Sequence, residues 1–186
     1  MEIPLVLRQL RDGRLSYDMP LWYRLVMAAV VAVIVTALAV GGTPPSIGGW
    51  IVLAIVLFAA LYEERWIFDA KLGCMTHRSG LLVAARRTVV EFGSIERFRI
   101  VPFVRGTIPG SEDELAANAA ALAGRYPSDG SRRRAAFKKP YLRLVCEYAD
   151  GSSRFLDTVD AMRGGAILKN NAARIASYCG KELVSG

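Results

Sequence analysis

Two long stretches of this chain carry no charge, and one short turn separates them. Leu25 to Val40 reads LVMAAVVAVIVTALAV, with Thr36 as its only polar residue, and Trp50 to Tyr62 reads WIVLAIVLFAALY. Neither run has a polar face, and a helix that is apolar all round is buried in protein or in lipid. A chain of 186 residues has little protein with which to bury two such helices. Between them lies LAVGGTPPSIGGWIV, residues 38 to 52, whose two prolines and four glycines compose a tight, uncharged turn. The expectation is a two-helix transmembrane hairpin over residues 21–64, with helices at about 21–42 and 48–64. A span needs about 20 apolar residues. Arg24 must therefore snorkel to the interface, while Trp22, Tyr23, Tyr62 and Trp66 fall where an interfacial aromatic belt sits. Ala28, Ala32 and Thr36 recur every four residues and form a candidate face for helix packing. A soluble or merely interfacial hairpin is the competing reading. A cleaved signal peptide fits poorly, because a second apolar run follows the first at once.

Charge sets the orientation. The connecting loop has no Lys or Arg, whereas Arg8, Arg11, Arg14 and Arg24 precede the first apolar run. The positive-inside rule then puts both termini in the cytoplasm, with residues 1–20 as a cytoplasmic tail. The formal net charge is +7, and six of those charges fall in the part after Tyr62. A basic domain beside a membrane can bind anionic headgroups, nucleic acid or an acidic partner, and charge alone does not choose among them.

Residues 64–101, ERWIFDAKLGCMTHRSGLLVAARRTVVEFGSIERFRIV, are rich in aromatic and β-branched residues and punctuated by Gly73, Gly80 and Gly93. Short antiparallel strands joined by tight turns are expected there. A clearer hairpin follows in YLRLVCEYADGSSRFLDTV: Leu142, Leu144, Cys146 and Tyr148 share one face, Arg143 and Glu147 the other, and Asp150-Gly151 makes the turn. Beyond it Leu168, Ala172, Ile175, Ala176 and Cys179 fall on one helical stripe, and Gly180 stops that helix.

The order of these pieces carries a resemblance. The apolar hairpin, Trp66 to Asp69, Gly80 to Leu82, Arg87 to Phe92, Gly93 to Phe98, the Asp150-Gly151 hairpin and the helix from Ala172 to Gly180 together look like the bacterial membrane-anchored pleckstrin-homology-like (PH-like) proteins. The resemblance covers most of residues 22–104 and 141–183 and implies a membrane α + β protein. Its parts are the transmembrane hairpin and a PH-like antiparallel β barrel of roughly seven strands over residues 65–183, capped by the C-terminal helix. Residues 105–140 depart from the pattern as an insertion. Within it Ser111 and Glu114 form a capping box that opens the helical stretch ELAANAAALAGRY. From Arg125 to Lys139 the chain is basic, with Arg125, Arg132, Arg133, Arg134, Lys138 and Lys139, and this stretch is either a solvated loop or a contact for lipid headgroups or an acidic partner.

No constellation in the sequence points to catalysis. There is one histidine, His77, and Cys74, Cys146 and Cys179 have no paired spacing, so they read as buried free thiols rather than a metal site. No catalytic residue, cofactor, metal or small-molecule substrate is expected. Nucleic-acid binding needs aromatics interleaved with the basic stretch, and only Phe137 and Tyr141 offer them. The leading expectation is a non-catalytic interaction module that docks on another membrane protein or on itself, as an accessory subunit or assembly factor. The alternative is a lipid sensor whose basic stretch reads anionic headgroups.

Overall fold

The computed structural model describes residues 5–40, 46–81, 84–105 and 139–185. Its first feature departs from the sequence reading. The stretch expected to be a tail forms two strands, β1 (Val6–Gln9) and β2 (Leu15–Asp18), closed by a turn in which Gly13 takes φ 88° and Asp12 accepts from the Arg14 backbone N–H. The physical reason is burial: Leu15 and Tyr17 are 4% and 0% exposed, so these short strands contribute to the core.

Two helices follow, α1 (Leu21–Val40) and α2 (Ile47–Leu61). The first, with 20 residues and about 30 Å of length, is long and apolar enough to cross a membrane. The second has 15 residues, and no residue of either helix is buried within the chain. Helix α2 ends earlier than expected. At Tyr62 the backbone turns extended (φ −70°, ψ 131°) and runs without a linker into β3 (Tyr62–Asp69), because Trp66 and Phe68 alternate into the core and hold this segment as a strand. Glu63 and Glu64 are therefore strand residues.

Strands β4 (Cys74–Leu81) and β5 (Arg86–Glu91) complete a five-stranded antiparallel sheet in the order β1-β2-β3-β4-β5. The helical hairpin thus connects two neighbouring, hydrogen-bonded strands, with Leu15 opposite Phe68 and Asp18 opposite Arg65. Both helices join the sheet at the same end of these two interior strands. After a 3₁₀ turn at Phe92–Ser94 the chain builds β6 (Ile95–Arg105), β7 (Lys139–Tyr148), β8 (Ser153–Asp160), α3 (Ala161–Cys179) and β9 (Glu182–Ser185). The second sheet runs β8-β7-β6-β9, and β9 pairs parallel with β6.

The two sheets share one core. Tyr17, Trp66, Phe68 and Met75 of the first meet Phe98, Ile100, Leu142, Leu144 and Cys146 of the second, with Leu168, Ala172 and Ile175 of α3 beside them. The expected stripe of α3 is the buried one, and Gly180 ends it in the left-handed conformation (φ 64°) while Asp160 caps its start. The expected closed barrel is not what forms: among the described residues the strands make two open sheets, and α3 lies against β6, β7, β8 and β9. The expected insertion helix after Ser111 lies outside the described residues.

Candidate functional site

Where α1 and α2 join the first sheet, charge is concentrated. Register places Asp18, Arg65, Arg78 and Arg87 side by side in one row across β2, β3, β4 and β5. Residues paired in this way share a face of the sheet, about 4.8 Å apart from strand to strand. The neighbouring row, Tyr17, Trp66, His77 and Thr88, faces the core, so the charged row lies on the outer face.

Glu63 is the hub of this rim. It is 3% exposed because Arg24 of α1, Arg65 and Arg78 cover it. Its Oε1 lies 3.9 Å from Arg24 Nη2 and 3.6 Å from Arg65 Nε, and its Oε2 lies 3.5 Å from Arg78 Nε. Arg65 Nη2 also reaches Asp18 Oδ2 at 3.5 Å. These separations give charge attraction without hydrogen bonds. Among the described residues, Arg24, Arg65 and Arg78 thus gather at Glu63, Arg65 also meets Asp18, and Arg87 stands next to Arg78 in the row.

Behind the rim, a second polar group ties the two sheets together. Arg154 Nη2 of β8 lies 2.7 Å from His77 Nδ1 of β4. A guanidinium can only donate, so Nδ1 is the acceptor and the ring proton sits on Nε2, 3.8 Å from Glu64 Oε1. The His77 ring stacks on Trp66 with centroids 3.8 Å apart. Burial, with Arg154 adding to it, pushes the His77 pKa down to about 4, so the imidazole is neutral at neutral pH. Burial raises the Glu64 pKa, with Arg154 opposing. Nearby the Tyr17 hydroxyl donates to Asp157 of β8, and Thr158 N–H donates to the same carboxylate at 2.7 Å. Burial nevertheless drives the Asp157 pKa up to about 6. Glu64 and Asp157 line a cavity of about 240 Å³ together with Leu5, Met19, Phe155 and Leu156.

The basic nitrogen of His77 is occupied by Arg154 and the ring is sandwiched against Trp66. Burial pushes the Cys146 and Cys179 thiols up to about 12, which leaves them protonated and weakly nucleophilic. Among the described residues no three His, Cys, Asp or Glu side chains are grouped to hold a metal ion.

Of the residues singled out from sequence, Arg125, Arg132, Arg133, Arg134 and Lys138 lie outside the described residues, and Lys139 opens β7 opposite Arg105. Ala28, Ala32 and Thr36 are all exposed, and the Thr36 hydroxyl donates to the Ala32 carbonyl of its own helix. The half-covered residues of the hairpin are Tyr23, Arg24, Met27, Val31, Ile34 and Leu38 of α1 and Gly49, Leu53, Val56, Ala59, Ala60 and Leu61 of α2. The rim of arginines was missed, since Arg65, Arg78 and Arg87 are far apart in sequence and only strand register joins them. No protein-family profile and no curated protein sequence matches this chain.

Proposed function

We propose that this chain is a non-catalytic, membrane-anchored interaction module of a bacterial inner membrane, an accessory subunit or assembly factor of a larger membrane protein complex. The observation that carries the reading is the pair α1 and α2: strongly apolar, without one buried residue, and joined to the same end of two paired strands of a folded sheet. Lipid is the solvent that suits such surfaces. Helix α2, about 22 Å long, crosses by local thinning of the bilayer. Because β2 and β3 are paired, both helix ends lie on the side of the folded domain, and the arginine excess beside them favours the cytoplasm. The exposed Ala28, Ala32 and Thr36 stripe, unused within the hairpin, suits close approach by a helix of another membrane protein or a second copy.

Affinity purification of the full chain from detergent-solubilised membranes, with cross-linking from position 32, tests the partner. A specific cross-linked species, lost when Ala28 of the same stripe is replaced by Trp, is the expected result. A chain recovered alone and uncross-linked would refute the module. Reporter fusions test the topology: activity inside the cell is expected after Gly186, and activity outside the cell from that fusion overturns the orientation.

A further inference from the structure

Strand β5 ends the first sheet, and among the described residues no strand pairs with its outer side. An open edge presents backbone N–H and C=O groups ready to pair with another chain. There is room beside it: Val89, Val90 and Glu91 line a cleft of about 670 Å³ whose far wall is the β7–β8 hairpin at Tyr148, Ser152 and Arg154. The side chains of β5 decide what fits. Arg87 belongs to the outer-face row, so Arg87, Val89 and Glu91 lie on the outer face of the sheet and Arg86, Thr88 and Val90 on the other. Arg87, Val89 and Glu91 are all exposed, Val89 at 52%. Edges guarded against pairing place a proline, a bulge or an inward-pointing charge in the exposed stretch. The centre of β5, Thr88 to Val90, has none of these.

Instead a cation and an anion flank the exposed valine at equal spacing. Facing residues of an antiparallel ladder share a face, so a two-fold pairing of β5 with itself must centre on one residue rather than between two. Centred on Val89, it sets Arg87 opposite the partner's Glu91, and Glu91 opposite the partner's Arg87, on the outer face. Val89 then meets the partner's Val89 on the axis, and Thr88 meets the partner's Val90 on the inner face. Each copy supplies both halves of the charge match. We propose that a second copy of this chain pairs antiparallel with β5 in this register, joining two five-stranded sheets into one continuous sheet. The contact rests on the sheet alone and is distinct from the helix stripe at Ala32. Its two-fold axis stands perpendicular to the sheet. On the membrane reading, both hairpins then share one bilayer with the joined sheets lying along its surface.

The test uses the full chain in detergent, with its mass followed by native mass spectrometry over a dilution series. Wild type should be a dimer that dissociates on dilution. An opposite-charge pair across strands is worth up to about fivefold, and a like-charge pair costs a similar factor. Arg87→Glu and Glu91→Arg each turn both pairs repulsive, so either should weaken the dimer roughly tenfold or more. Mixing the two variants restores opposite charges at both pairs and should recover the dimer as a heterodimer. For the register, Val89→Cys in a Cys74→Ser background should oxidise to a covalent dimer, because facing Cα atoms lie about 4.5–5.5 Å apart, within the span of a disulfide. Ile167→Cys, exposed on α3, should not. The cysteine pair keeps the test decisive if a charge variant misfolds. Wild type that stays monomeric at every concentration, a dimer indifferent to both charge reversals, or cross-linking of two copies through position 32 with none through position 89 would each overturn the pairing.

Discussion

Replacing Glu63 by Gln keeps the shape of the hub and removes its charge. In the folded protein that carboxylate is 3% exposed and lies within 4 Å of Arg24, Arg65 and Arg78. Removing one partner of a fully buried ion pair costs about 3–5 kcal/mol, because the other charge is stranded. Here the three guanidiniums are 29%, 35% and 44% exposed, so water recovers part of that loss. Exposed pairs are worth at most about 1 kcal/mol, and a cost of about 2 kcal/mol lies between the two limits. At about 2–4 °C per kcal/mol for a chain of this size, the melting temperature should fall by about 4–8 °C. Intrinsic tryptophan fluorescence of the detergent-solubilised chain measures it, with Trp66, 0% exposed, as the buried reporter. Glu96→Gln is the control: its side chain is 54% exposed and its Arg97 contact is 4.0 Å long, so the change should be within about 0.5 kcal/mol. A Glu63→Gln melting temperature equal to that of Glu96→Gln would refute the idea that this carboxylate organises the rim.

The core is tested by Phe68→Ala, which should cost about 3–5 kcal/mol because Phe68 is 0% exposed between the sheets. Ile175→Asp, which buries a charge under α3, should cost at least as much, and unchanged protease resistance in both would contradict the shared core. Acid stability should show two opposed titrations. His77, whose folded pKa is lowered to about 4, contributes stability that is lost as pH falls from about 6.5 toward 4. Asp157, raised to about 6, contributes stability that is present at low pH and lost as pH rises from about 4 to 6. Melting temperatures from pH 4 to 6.5 should therefore fall steeply with acid in Asp157→Asn and rise with acid in His77→Gln, with wild type flatter than either. Parallel pH profiles in all three proteins would remove that account.

The parts of the fold legible in the sequence were those with long or strongly punctuated patterns. The hairpin turning at Asp150-Gly151 alternates over enough residues to declare its buried face, and α3 repeats its stripe from Leu168 to Cys179, about three turns, before Gly180 stops it. Strands β1 and β2 have four residues each, too few for a period to stand out, although Asp12-Gly13 is a hairpin signal in its own right. Their role depends on Tyr17 reaching Asp157, a contact between residues 140 positions apart that no local pattern encodes. The end of α2 was misjudged for a related reason. Glu63 and Glu64 read equally well as the frayed end of a helix at an interface, and only pairing of β3 with β2 and β4 makes them strand residues. The arginine rim is illegible in sequence for the same cause, since it exists only through register.

The way α1 and α2 are joined to the sheet has a mechanical consequence. At one end Met19 and Pro20 separate β2 from α1, and at the other no residue separates Leu61 of α2 from Tyr62 of β3. Strands β2 and β3 are hydrogen-bonded to each other, so the two helix ends are fixed in spacing by the sheet itself. A domain on a flexible tether would sample many orientations at the cost of ordering entropy when it meets a partner. This one has no tether on the α2 side, and the ionic contacts of Arg24 with Glu63 span the same joint from α1. A tilt of the hairpin must then move the sheet with it. On the proposed membrane reading, the ends of β2 and β3 that join the hairpin meet the bilayer surface, and the sheet is held there at a set angle. A partner in the same membrane would meet a surface already oriented, which lowers the entropic cost of docking and accounts for building the anchor into the middle of a sheet rather than beside it.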